Sequence, residues 1–229
     1  MLHLGAFGAG IAGLESALNN HKVSISTTSN PTSPFLRCVD IELVSKLCHA
    51  KGAVVCIDGT FATPLNQKAL VLGACIILHS ATKYLGGHND MLAGCISGWT
   101  EIIFQVHYMH HVLGGTLNPN AAYLIIRGMK TLKLRVQQQN SIGGVVSFEV
   151  DGDITTTIKF VDSLKIPYIA PSFGGCESIM DQRAIMSYWD LSQAKRAKYG
   201  ILDNLVRFSF GDEDYEDLEA DVLKSLEAI

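Results

Sequence analysis

Charge is the scarcest feature of this chain. Only 17% of its 229 residues are Asp, Glu, Lys or Arg, against roughly 25% in an average soluble domain. So low a share predicts a surface partly covered by a partner subunit. With 48% hydrophobic residues and a formal net charge of -4, intrinsic disorder is excluded. Basic excess is also missing. The 18 Lys+Arg face 22 Asp+Glu, so nucleic acid is excluded as a general partner. Long apolar runs are absent too. The stretch 69–78 is far short of the roughly 20 residues of a membrane span, and His79 and Lys83 follow it. Cys38, Cys48, Cys56, Cys75, Cys95 and Cys176 include no C-x-x-C pair, which leaves no zinc-site spacing. Their mostly apolar neighbours predict small buried thiols in a reducing compartment. The first residues, MLHLGAFGAGIAG, lack a basic segment and an Arg- and Ser-rich opening, so no targeting peptide is visible.

What is present reads as alternating strands and helices. The pattern predicts a helix over 14–20, a strand over 22–27 and a proline-punctuated loop over 29–34. A helix follows over 40–51, with Asp40 as its N-cap and Gly52 as its C-cap. The β-branched run 53–57 predicts a strand buried on both faces, and 74–79 a second one. A short helix over 64–72 would join them into a parallel βαβ unit. Residues 91–97 predict a third strand. Helices are expected over 101–113 and, unusually long, over 119–140. Beyond that the strands alternate in polarity: 143–150, 166–170 and 206–210, with helices over 153–164 and 214–228. The expected division is therefore 1–141, α/β with parallel strands, and 142–229, a smaller α+β domain.

Three constellations carry possible chemistry. Gly8–Gly13 fits G-x-G-x-x-G, but a dinucleotide site needs a buried strand ahead and an acid about 20 residues on. No acid lies between Glu15 and Asp40, so a Gly/Ala-rich lead-in is favoured over a flavin or NAD site. His107, His110 and His111 share one expected helix without neighbouring Asp or Cys, which favours surface histidines over a metal site. The third is Asp58 with Ser80-Ala-Thr-Lys83. Asp58 ends one buried strand, and Ser80, Thr82 and Lys83 lie just past the next, where open α/β sheets bind ligands. Hydroxyls beside an amine suit an aldehyde cofactor with a phosphate tail. The amine forms a Schiff base, the hydroxyls donate to phosphate, and a carboxylate one strand away can pair with a protonated pyridine nitrogen. That description is pyridoxal phosphate.

Residues 54–98, VVCIDGTFATPLNQKALVLGACIILHSATKYLGGHNDMLAGCISG, resemble the Cys/Met-metabolism family of pyridoxal-phosphate enzymes, and most of all its plant-type cystathionine γ-synthase branch. The run S-A-T-K-Y-L-G-G-H-N is the family's cofactor-lysine signature. The likeness continues through HHVLGGTLNPNAAYLIIRGMKTLKLRVQQQNS, KIPYIAPSFGGCES and DNLVRFSFG. It implies a fold-type I, aminotransferase-like α/β architecture, with a partial cofactor-binding large domain and a small C-terminal domain. It implies pyridoxal 5'-phosphate on Lys83, the catalytic residue, with Asp58 at the ring nitrogen and Ser80 and Thr82 at the phosphate. It also implies that Arg207 clamps the substrate carboxylate with Ser172 beside it. The family's ring-contacting asparagine falls on Ser33, and the signature's leading Asp on Cys75.

The resemblance further implies γ-replacement. An activated homoserine ester would exchange its leaving group for cysteine and give cystathionine. The family alternatives are elimination of the cystathionine-lyase kind, or a non-catalytic chain that interacts with full-length subunits. The resemblance implies a start in the middle of the large domain and a gap of a few tens of residues after Ser141. A homo-oligomer is expected, in the chloroplast stroma if plant-type and otherwise in the cytoplasm.

Overall fold

The computed structural model describes residues 10–229 and builds two four-stranded sheets, each within its own unit of the chain. The first unit runs through Gly86 and resumes over Asp90–Met129; the second holds Gly87–Asn89 and Lys130–Ile229.

In the first unit α1 (Gly10–Asn20), β1 (Ile25–Ser29) and α2 (Ile41–His49) come first. The start of α2 is set by Asp40, whose carboxylate accepts the Leu43 N–H at 3.0 Å and satisfies one of the helix's orphan donors. The helix ends earlier than expected. Ala50 is its C-cap, and Gly52 lies two residues later at φ +70°. Strand β2 (Val54–Asp58) leads to α3 (Thr63–Asn66), a single turn where a longer helix was expected, because Gln67 is already extended. Next come β3 (Ile76–Ser80), β4 (Gly94–Gly98), α4 (Thr100–Leu113) and α5 (Pro119–Met129). The sheet order is β1-β2-β3-β4. The first three strands run parallel and β4 antiparallel.

Leu14 and Leu18 of α1 and Val44 and Cys48 of α2 form one core with Val55, Ile57 and Ile77. Val55 and Ile57 point to the same face of β2 and are buried, whereas Val54, Cys56 and Asp58 are only half-buried. Burial on both faces was therefore the wrong expectation for this strand. Removing Ile57 to Ala in such a core costs roughly 2–5 kcal/mol.

The single helix expected over 119–140 is broken. Its continuation, α6 (Leu132–Ile142), starts afresh after Thr131, which sits at φ -107° and ψ 1°. The second unit then adds β5 (Val145–Glu149), α7 (Ile154–Ser163), β6 (Tyr168–Ile169), β7 (Ile179–Gln182), α8 (Arg183–Met186), α9 (Gln193–Lys198), β8 (Leu205–Ser209) and α10 (Tyr215–Leu226). Its sheet runs β5-β8-β7-β6, with β8 antiparallel to both neighbours. Phe160, Val161, Met180, Val206, Phe208 and Leu218 are the core beneath it.

All six cysteines are free thiols. Cys48 and Cys75 are buried, Cys56 and Cys176 half-buried, and Cys38 and Cys95 exposed, so burial was wrongly expected for the last two. Among the described residues, no helix is long and apolar enough to cross a membrane.

Candidate active site

Parallel pairing places Ser29 opposite Asp58, and Asp58 opposite Leu78. The carboxyl ends of β1, β2 and β3 are thereby brought to one edge of the sheet. Asp58 is the last residue of β2, and its Oδ1 accepts from Thr60 N at 3.0 Å and from Thr60 Oγ1 at 2.6 Å. The same Thr60 hydroxyl accepts the N–H of Ser80 at 2.9 Å. One buried hydroxyl thus fixes the carboxylate and the end of the neighbouring strand together. Thr60 was not singled out from the sequence. Its signal was the D-G-T turn, in which an Asx carboxylate bonds the backbone two residues on.

A side chain at Gly59, between them, would force its neighbours to shift. A Cβ there would stand 2.9 Å from Ile77 Cδ1 and 3.0 Å from His79 Cε1. His79 is buried, and burial pushes its imidazole below the ordinary range, while the Asp58 carboxylate acts in the opposite direction.

Directly after β3 the chain turns. Lys83 N donates to Ser80 O at 3.1 Å and Gly86 N to Ala81 O at 2.8 Å. Lys83 lies half-buried on this turn. The Thr82 hydroxyl accepts from Ala93 N at 3.0 Å and lies 3.3 Å from Ala93 O, as a donor, so it also anchors the segment entering β4. Asp58, Ser80, Thr82 and Lys83 therefore share one end of the first unit's sheet.

Arg207 and Ser172 lie in the second unit. Arg207 is central in β8 and is 2% exposed. Its Nη2 donates to Ser172 O at 2.7 Å, and its guanidinium lies 5.2 Å from the centroid of the Phe173 ring. The contact with Ser172 thus runs through that residue's carbonyl. Asp181, the cross-strand partner of Arg207, places Oδ2 at 3.0 Å from Arg207 Nη2 and 2.6 Å from Arg183 Nη1. Neither Asp181 nor Arg183 stood out in the sequence, because neither β7 nor α8 was recognised.

The sequence model described as Cys/Met metabolism PLP-dependent enzyme matches residues 9–142 and 137–227. The chain belongs to this family. The two matched segments overlap over 137–142, at the junction where a gap was expected. Cystathionine gamma-synthase 1, chloroplastic, of Arabidopsis thaliana is 65% identical over 259 residues, covering 96% of this chain and 46% of that protein. The chain spans about half the length of such curated relatives. Among solved structures, cystathionine gamma synthase of Xanthomonas oryzae pv. oryzae in complex with cystathionine superposes with a TM-score of 0.90 at 29% identity. That match covers 96% of this chain and 67% of the other. A gamma lyase of Micromonospora echinospora gives 0.89 at 28% identity, covering 94% and 67%. These likenesses establish the fold-type I architecture expected from the sequence.

The donor set fits the family's cofactor. A carboxylate oriented by Thr60 suits a protonated ring nitrogen, the Ser80 hydroxyl suits a phosphate, that of Thr82 would suit it once its proton turns from Ala93 O, and the Lys83 amine suits the aldehyde. The other two constellations do not join this set. Gly8 lies outside the described residues, and Gly10 and Gly13 fall within α1. His107 and His111 meet edge-to-face at 4.5 Å on the exposed α4. Among the described residues no three His, Cys, Asp or Glu are grouped to hold a metal ion.

Proposed function

We propose that this chain carries part of a cystathionine γ-synthase active site, acting on an activated homoserine ester and cysteine. What supports the reading most is the Asp58 carboxylate, held by Thr60 at the end of β2 and joined through that same hydroxyl to the strand that leads into Lys83. Pyridoxal phosphate, when bound, supplies an electron sink that acidifies the substrate Cα–H. Asp58 would keep its ring nitrogen protonated, and Ser80 and Thr82 would hold its phosphate. Lys83 Nζ would take the Cα proton and then a Cβ proton. The Cγ–O bond would break, the leaving group would depart with its electron pair, the cysteine sulfur would form the new Cγ–S bond and lose its proton, and Lys83 would return protons to Cβ and Cα. Arg207 binds the α-carboxylate with its planar fork, for which lysine is no substitute. The chloroplast is its proposed location, supported by the name of the Arabidopsis relative. We also propose that the chain assembles with further copies of itself. Phe104, Tyr108 and Val112, 74%, 63% and 63% exposed on α4, support that.

The test is to incubate the chain, with pyridoxal phosphate, with O-phosphohomoserine and cysteine and to follow cystathionine by mass. Cystathionine that forms with the native chain and not with Lys83→Ala supports the reading. Release of a 2-oxo acid from cystathionine, without synthesis, assigns the chain to elimination instead. No turnover by a folded, cofactor-loaded chain contradicts both and favours a role confined to binding longer subunits.

A further inference from the structure

The Asp181 carboxylate is shared by two buried arginines. Arg183 Nη1 reaches Oδ2 at 2.6 Å and Arg207 Nη2 reaches the same oxygen at 3.0 Å. Asp181 is 0% exposed, and Arg183 and Arg207 are 7% and 2% exposed. Arg183 is fixed from two further sides: its Nη1 donates to Ser187 Oγ at 3.1 Å, and its guanidinium lies 5.2 Å from the Tyr188 ring centroid. Two guanidinium groups against one carboxylate leave the trio with one surplus positive charge. A buried surplus charge is costly unless an opposite charge meets it. The shorter contact goes to Arg183, so this residue takes up much of the carboxylate that would otherwise neutralise Arg207.

We propose that Arg183 is a positioning and charge-setting residue for carboxylate recognition: by pairing with Asp181 it leaves Arg207 the net positive charge that binds the carboxylate of an amino-acid substrate. The inference rests on the assignment of Arg207 as the carboxylate clamp. It adds a residue that need not touch substrate. Without Arg183, Asp181 and Arg207 form a neutral pair with little surplus for an incoming anion. Losing Arg183 and Asp181 together removes one charge of each sign and restores the surplus on Arg207.

The test uses the full chain loaded with pyridoxal phosphate and two probes that differ by one group. L-2-aminobutyrate has the carboxylate; n-propylamine is the same amine without it. The concentration dependence of the cofactor's absorption change is measured for each. Arg183→Met is expected to raise the half-saturating L-2-aminobutyrate concentration by about tenfold or more, in line with the loss of a buried charge interaction. The propylamine curve stays where it was. Arg183→Lys and the double variant Arg183→Met/Asp181→Asn are expected to recover most of that loss. A purely structural role would move both probes alike and would show no recovery in the double variant. An unchanged L-2-aminobutyrate curve in a folded Arg183→Met chain overturns the proposal, as does an equal shift of both probes. A second arm needs no cofactor: butyrate should raise the thermal midpoint of the native chain, and of the double variant, more than that of Arg183→Met. If Lys83 takes no cofactor, the assignment of Lys83 fails and the butyrate arm alone decides the role of Arg183.

Discussion

Thr60 shows how much of the site rests on a single hydroxyl. It donates to Asp58 Oδ1 and accepts from Ser80 N, and it is 6% exposed. Thr60→Val keeps the shape but takes the acceptor from the Ser80 N–H and leaves Asp58 Oδ1 with the backbone N–H of residue 60 alone. The expected loss is about 1–3 kcal/mol, read from urea denaturation, and an unchanged midpoint would show that the bond carries no weight. Close by, His79 is held neutral by burial, so its folded-state pKa lies below the unfolded value. Between those two values the unfolded chain binds the extra proton, and stability therefore falls as pH drops from above 6.5 through that window. His79→Gln should flatten this part of the stability profile, and denaturation between pH 7 and 5 checks it (about the range in which histidine titrates). At this scale the sequence was informative about placement: Asp58, Ser80 and Lys83 were expected past the ends of neighbouring strands, and they lie at one end of the sheet. Thr60 was hidden, because its second bond exists only once β2 and β3 are side by side.

Among elements, the errors have physical causes. Strand β7 reads Ile-Met-Asp-Gln and all four residues are buried. Half of it is polar, so no apolar alternation announced it. Its polar side chains are tolerated because partners await them: Asp181 meets Arg183 and Arg207, and Gln182 Nε2 donates to Asp203 O at 3.0 Å. Asp181→Asn strips two buried arginines of their counter-charge, and such losses cost about 3–5 kcal/mol. Thermal denaturation should show it. A loss no larger than that of an exposed substitution would mean that the carboxylate is not holding β7 against β8. The long helix over 119–140 failed for a different reason. Its helical residue types continue through the break at Thr131, and the break falls where the chain passes from the first unit to the second. Helices α2 and α7 were legible because Asp40 and Asp153 cap them as the residue types suggest, the latter accepting from Thr156 N at 2.9 Å.

For the whole molecule, the parallel strands β1–β3 and the separate α+β sheet match the architecture that the sequence resemblance implied, and the family assignment covers nearly the full chain. What the residues alone could not give was the register that sets Asp58 against the Ser80–Lys83 turn, since pairing between distant segments is a property of the packed sheet. The proposed function requires that this sheet end present Lys83 to the family's cofactor. The most direct test is to incubate the chain with pyridoxal phosphate, reduce with borohydride and map the peptides. One phosphopyridoxyl group is expected on Lys83, lost in Lys83→Ala and weakened in Thr60→Val. A folded chain that carries no label, or carries it on surface lysines regardless of Lys83, would contradict it.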